Sequence, residues 1–129
     1  IAERVYTGQP VDLSTGYVNC IWQGDVCEYA LRSLTAAKNP IEHLNVTGPE
    51  AISVEYIARK FGKLFKKEPV FEGEAPQTSL FSNASEMVHL FGYPEVSLLQ
   101  MMEWTADWIM SGGTTINAPT HFEQRNGNY

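Results

Sequence analysis

The sequence predicts a small α-rich α/β unit of about four helices and two or three short strands. Three observations predict it. Apolar residues recur at helical spacing in four stretches, each bounded by a capping or breaking residue. The runs of strand formers are short and lie between those helices. The repeated strand–helix–strand alternation of a complete doubly wound sheet is missing.

In chain order, residues 1–7 read as the tail of an amphipathic helix that Gly8-Gln9-Pro10 breaks. Val18 to Trp22 is a short apolar strand, with Val18, Cys20 and Trp22 on one face and Asn19, Ile21 and Gln23 on the other. Asp25 stands where an N-cap belongs, with Glu28 three residues on as its capping-box partner. Val26, Tyr29, Ala30, Leu34 and Ala37 follow at helical spacing, and Asn39-Pro40 ends that helix. Glu42 to Val46 reads as a strand with Leu44 and Val46 on one face, and Thr47-Gly48-Pro49 turns the chain.

Ser53 caps the next helix, whose apolar stripe is Val54, Ile57, Ala58, Phe61, Leu64 and Phe65. Pro69 to Glu72 is another short strand, and residues 74–82 are a polar loop. Ser82 or Asn83 caps a helix that turns Met87, Leu90 and Phe91 inward and stops at Gly92. Ser97 and Gln100 form a second capping box, behind which Leu98, Met101, Met102, Thr105, Trp108 and Ile109 face inward up to Gly112-Gly113. The last sixteen residues are polar and irregular. A leading segment over residues 1–15, a folded unit over 16–112 and a tail over 113–129 thus make one subdomain.

Composition narrows the function. Hydrophobic residues at 43% and charged residues at 19% belong to a folded globular protein and not to a disordered one. A formal charge of -6 repels phosphate backbones and argues against general nucleic-acid binding. No apolar run approaches the ~20 residues that span a bilayer, and no signal peptide opens the chain. Two cysteines, Cys20 and Cys27, read as reduced, buried thiols of a cytoplasmic protein. Outside a secretory setting, Asn45-Val46-Thr47 and Asn83-Ala84-Ser85 read as chance glycosylation sequons. His43, His89 and His121 have no partner at metal-ligand spacing, so no metal site is expected. Arg59, Lys60, Lys63, Lys66 and Lys67 fall opposite the apolar stripe of their helix and read as a solvated face.

Four segments carry a resemblance. They are Val18-Asn19-Cys20-Ile21-Trp22-Gln23-Gly24-Asp25-Val26, His43-Leu44-Asn45-Val46-Thr47-Gly48, Ile52-Ser53-Val54-Glu55-Tyr56-Ile57-Ala58, and Leu90-Phe91-Gly92-Tyr93-Pro94 with Val96-Ser97-Leu98. Trp104 to Trp108 completes the order as a terminal helix. Together they resemble the C-terminal, substrate-binding part of the extended short-chain dehydrogenase/reductase family, the NAD-dependent epimerases and dehydratases of nucleotide sugars. The resemblance implies NAD or NADP as cofactor in the full-length protein, a small sugar-like substrate, and an upstream Rossmann domain as partner.

Departures from the family pattern shape the expectation further. The Gly-x-x-Gly-x-x-Gly fingerprint that lets backbone approach a pyrophosphate is missing, so no cofactor-binding residue is expected in this chain. With its first residues reading as mid-helix and no initiating Met, the chain is expected to begin at an internal cut. The family's Tyr-x-x-x-Lys base also belongs upstream. Tyr56 and Lys60 match its spacing but sit in a helix that resembles a substrate-domain element, so no catalytic residue is expected here. Where many nucleotide-sugar members carry an Arg-Asp pair, this sequence has Val18 and Asn19. That substitution widens the substrate range to a simpler sugar acid or polyol.

The candidate substrate-binding residues are Asn19, Trp22 and Gln23. Asn19 and Gln23 would hydrogen-bond hydroxyls and Trp22 would stack on a sugar face, against an alternative in which Trp22 is core. The tail segment Pro119 to Arg125 is polar and aromatic enough to fold over a substrate or to remain an open end. A second reading is a stand-alone α/β binding or interaction module without enzymatic activity. A Gly-rich strand–turn–helix upstream in the encoded protein would separate the two.

Overall fold

The computed structural model describes residues 1–79 and 81–116. The polar tail from residue 117 on, with His121 and the segment Pro119 to Arg125, lies outside the described residues. The described chain is α/β, with five α-helices, one 3₁₀ turn and four two-residue strands. It gathers into two compact units. Among the described residues, one draws on 1–18, 52–79 and 102–116, and the other on 19–51 and 81–101.

The first unit is organised by α3, Val54–Phe65. The Ser53 hydroxyl accepts the Tyr56 N–H at 3.3 Å, the cap its sequence announces. The stripe behind it is buried at Val54, Ile57, Ala58, Phe61 and Phe65. Burying an aliphatic or aromatic side chain of this kind contributes roughly 1.5–3 kcal/mol, which makes this face the unit's main source of stability. α1, Ala2–Thr7, lays Val5 against it, and the Tyr6 ring meets Phe65 edge-on at 5.1 Å. Gly8, at φ 74, closes α1 in the left-handed conformation.

Two short ladders complete this unit. β1, Val11–Asp12, runs parallel to β4, Phe71–Glu72, and β2, Tyr17–Val18, runs antiparallel to β3, Ile52–Ser53. Sequence alternation anticipates β4 and misses β1 and β3, which are two residues long and carry no readable period. Met102 and Ala106 of α5, Leu98–Met110, are buried. Trp108, expected inward, is instead largely exposed, and its indole N–H donates to the Thr114 carbonyl at 3.3 Å.

In the second unit, α2, Gln23–Ser33, and α4, Ser85–Phe91, pack Tyr29, Ala84 and Met87 into one cluster. Ile21, Leu44, Val46, Val88 and Phe91 cover it. A 3₁₀ turn, Leu34–Ala36, ends the α2 region. The strand expected over Glu42 to Val46 is not one, because an extended segment becomes a strand only with a partner, and none pairs with it among the described residues. Its alternation is nonetheless real, since Leu44 and Val46 pack on the cluster while His43 and Asn45 are exposed.

The start of α2 also differs from expectation. The strand from Val18 stops at that residue, and the helix opens at Gln23 with Trp22 as its N-cap. Asp25 therefore lies inside the first turn and is not the cap. It is buried, and its carboxylate accepts the Val96 N–H at 3.1 Å. Glu28, expected to complete a capping box, pairs with Arg32 at 3.1 Å instead. Leu90, expected inward, is exposed, and so is Leu34. Cys27, expected to be buried, is exposed as well.

Candidate functional site

The second unit contains a cavity of about 460 Å³. Four stretches far apart in sequence wall it, namely Asn19, the turn Pro49 to Ala51, the segment Phe81 to Ser85 with Val88, and Tyr93.

Asn19 joins two of these stretches. Its side-chain amide donates to the Ser82 carbonyl at 2.8 Å and to the Gly48 carbonyl at 3.2 Å. The Thr47 hydroxyl donates back to the Asn19 carbonyl at 3.3 Å. Gly48 lets the turn come this close, because a Cβ there would lie 1.9 Å from the Cys20 carbonyl oxygen. On the far wall, Asn83 Oδ1 accepts the Ser85 N–H at 3.0 Å and the Ser85 hydroxyl at 2.6 Å, which sets the chain up to enter α4. Tyr93 follows Gly92, whose carbonyl accepts the buried Tyr29 hydroxyl at 3.2 Å. With Asp25 holding Val96, α2 fixes the segment that carries Tyr93 at both ends.

The electrostatics of this unit are acidic. Among the described residues that line the cavity, the one charged side chain is Glu50. Burial, and then the charge of Glu50, pushes the Cys20 thiol above its ordinary pKa. Burial also raises the Tyr29 phenol, with the Asp25 carboxylate adding to it.

Of the three candidates read from sequence, Asn19 lines the cavity, and Trp22 and Gln23 do not. The expected strand face that put Asn19 beside Gln23 does not exist, because the backbone has turned into α2 by Gln23. The Trp22 indole instead covers Gly24, where a Cβ would come within 2.7 Å of its nitrogen. Glu50, Phe81, Ser82, Asn83 and Tyr93 were not anticipated. Each stands beside a turn or cap signal that was read only as punctuation, such as Thr47-Gly48-Pro49 before Glu50 and Gly92 before Tyr93.

Other constellations do not line this cavity. The Lys60 ammonium sits 5.5 Å from the centroid of the Tyr56 ring on α3, and Tyr56 is 48% exposed. Arg59, in the basic stretch, pairs with Glu55 at 2.8 Å. Among the described residues, no group of three or more His, Cys, Asp or Glu is placed to hold a metal ion. No helix of the described residues is long and apolar enough to cross a membrane.

No protein-family profile and no curated protein sequence matches the chain. Solved structures do. UDP-glucuronic acid 4-epimerase from Bacillus cereus, in complex with NAD, overlays 85% of this chain at a TM-score of 0.65 and 22% identity. UDP-glucose 4-epimerase from Thermotoga maritima, with UDP-glucose, overlays 86% at a TM-score of 0.67 and 18% identity. UDP-glucose 4-epimerase from Thermus thermophilus, in complex with NAD, overlays 82% at a TM-score of 0.61 and 23% identity. The chain spans only 36%, 38% and 37% of those proteins respectively. At such identities the likeness is one of fold: the α/β fold of the chain matches the C-terminal part of these nucleotide-sugar epimerases.

Proposed function

We propose that this chain is the substrate-side part of an NAD(P)-dependent epimerase/dehydratase, or a related oxidoreductase, acting on a sugar or sugar-nucleotide-like substrate in the cytoplasm. The observation that carries the reading is the overlay of more than four-fifths of the chain on three nucleotide-sugar epimerases. The cavity around Asn19 gives the reading a place where substrate would be oriented and shielded from water.

The residues present do not fit the cofactor. A dinucleotide is gripped where a parallel strand runs through a Gly-rich turn into a helix N-terminus. Among the described residues the parallel pair, Val11–Asp12 with Phe71–Glu72, has no such helix behind it, and α3 follows an antiparallel strand and is capped by Ser53. Cofactor grip and the proton-transferring base are therefore assigned to an upstream Rossmann domain of the same protein, and this part is inactive alone.

The test compares the protein as encoded with the isolated 129-residue chain. The encoded protein should bind NAD or NADP and convert a sugar or nucleotide sugar in a nicotinamide-dependent reaction. Calorimetry on the isolated chain should show no saturable cofactor binding at millimolar concentration. Micromolar binding by the chain, or an encoded protein with no nicotinamide-dependent reaction, overturns the reading in favour of a stand-alone binding module.

A further inference from the structure

The wall of the Asn19 cavity is rich in uncharged hydrogen-bonding groups. Ser82, Asn83 and Ser85 offer hydroxyl and amide groups along one side. The amide hydrogens of Asn19 are engaged by the Gly48 and Ser82 carbonyls, so what Asn19 offers a ligand is its Oδ1, an acceptor. Two aromatic rings stand open at the wall, Phe81 at 45% and Tyr93 at 71% exposure. At about 460 Å³ the space falls within the ~300–1,000 Å³ of ordinary ligand sites and holds a sugar ring with room to spare.

The charges are wrong for a phosphate. Phosphate sites are built from Arg, Lys or a free helix N-terminus. The second unit carries six carboxylates, Asp25, Glu28, Glu42, Glu50, Glu86 and Glu95, against two cations. Both cations are already paired, Arg32 with Glu28 at 3.1 Å and Lys38 with Glu42 at 2.9 Å. The seven-residue α4 offers no anion site either, since Asn83 already takes the Ser85 N–H. Glu50, standing in the wall itself, adds a negative field that reaches the Cys20 thiol. A carboxylate that repels a diphosphate is at the same time a strong acceptor for sugar hydroxyls.

Resting on the function proposed above, we infer that this cavity takes the uncharged, polyhydroxylated ring of a substrate and not its phosphate- or carboxylate-bearing part. Glu50 and Asn19 accept from ring hydroxyls, the serines and Asn83 complete the set, and an open aromatic ring covers the apolar face of the sugar.

The test is a set of titrations of the 129-residue chain followed by its amide NMR spectrum, with methyl glucoside, UDP, pyrophosphate and UDP-glucose as probes. Methyl glucoside should move the amides of Asn19, Glu50 and Phe81 to Ser85 saturably. UDP and pyrophosphate should leave them in place, and UDP-glucose should act there with an affinity within a few-fold of the glucoside. Glu50→Gln should weaken the glucoside several-fold with the rest of the spectrum unchanged. If UDP or pyrophosphate moves these amides at lower concentration than the glucoside, the inference is overturned while the proposed function stands. If Glu50→Gln leaves glucoside affinity as it was, the role of the carboxylate is overturned. Silence towards glucoside, UDP and UDP-glucose alike removes both the inference and the substrate-side reading beneath it.

Discussion

Asn19 holds two loops together with one side-chain amide, and that role changes what its replacement should do. From sequence it reads as a group that meets substrate and matters little to folding. With two donated hydrogen bonds at stake, each contributing about 0.5–1.5 kcal/mol, Asn19→Ala should lower the unfolding free energy by about 1–3 kcal/mol in a urea titration. Gln23→Ala, at an exposed helix start, should stay within about 0.5 kcal/mol of the parent. Equal stability of the two variants would show that the Asn19 bonds do not form in solution. Asp25 gives a parallel case. Asp25→Ala orphans the Val96 N–H and should cost about 1–3 kcal/mol, while Asp25→Asn keeps an acceptor there and should cost less. An alanine variant as stable as the asparagine one would mean the bond carries no weight. In the sequence Asn19 becomes a candidate only through the family resemblance and an expected strand face that the structure does not have. Glu50, Phe81 and Tyr93 were not legible at all, because they reach the cavity only through turns whose direction no local pattern encodes.

Helices were more readable than strands, of which β4 was anticipated and β1 and β3 were not, and the reason lies in where each finds its hydrogen bonds. α3 closes its own backbone bonds and shows its stripe within one turn of Ser53, so its limits follow from neighbours in sequence. A strand needs a partner from elsewhere, and the segment from Glu42 to Val46 has the right alternation without one among the described residues. β1 and β3 have partners but are too short to show any period. Two substitutions test the elements that hold this arrangement. Ser53→Ala should cost about 1 kcal/mol through the lost cap, and Ser53→Thr should restore most of it. Gly48→Ala places a Cβ against backbone, not against a side chain that can move aside, and should unfold the Asn19 turn. Loss of the dispersed amide signals of Asn19 and Ser82 in that variant would report it. A Gly48→Ala protein with the parent melting temperature would disprove the close approach.

At the scale of the whole molecule, a half-buried thiol and a buried phenol in the second unit should make stability fall in base. Cys20 and Tyr29 both have pKa values above their unfolded values, so the folded chain keeps these protons after the unfolded chain has released them. Their contribution is complete at neutral pH and is lost as pH rises above the ordinary thiol and phenol ranges. The urea midpoint should therefore hold steady up to about pH 8 and decline above it, and Tyr29→Phe with Cys20→Ala should flatten the decline. A midpoint that rises in base would contradict the sign of both shifts. A separate consequence comes from the way the two units share the chain. The first draws on three stretches and the second on two, threaded through each other in sequence. On a ribosome, which releases the chain from its N-terminal end, the second unit cannot close its cluster until α4 has emerged, long after α2. The first must wait longer still, for Met102 and Ala106. α2 thus emerges with its side of the cluster bare, and that apolar surface stays open until α4 follows it.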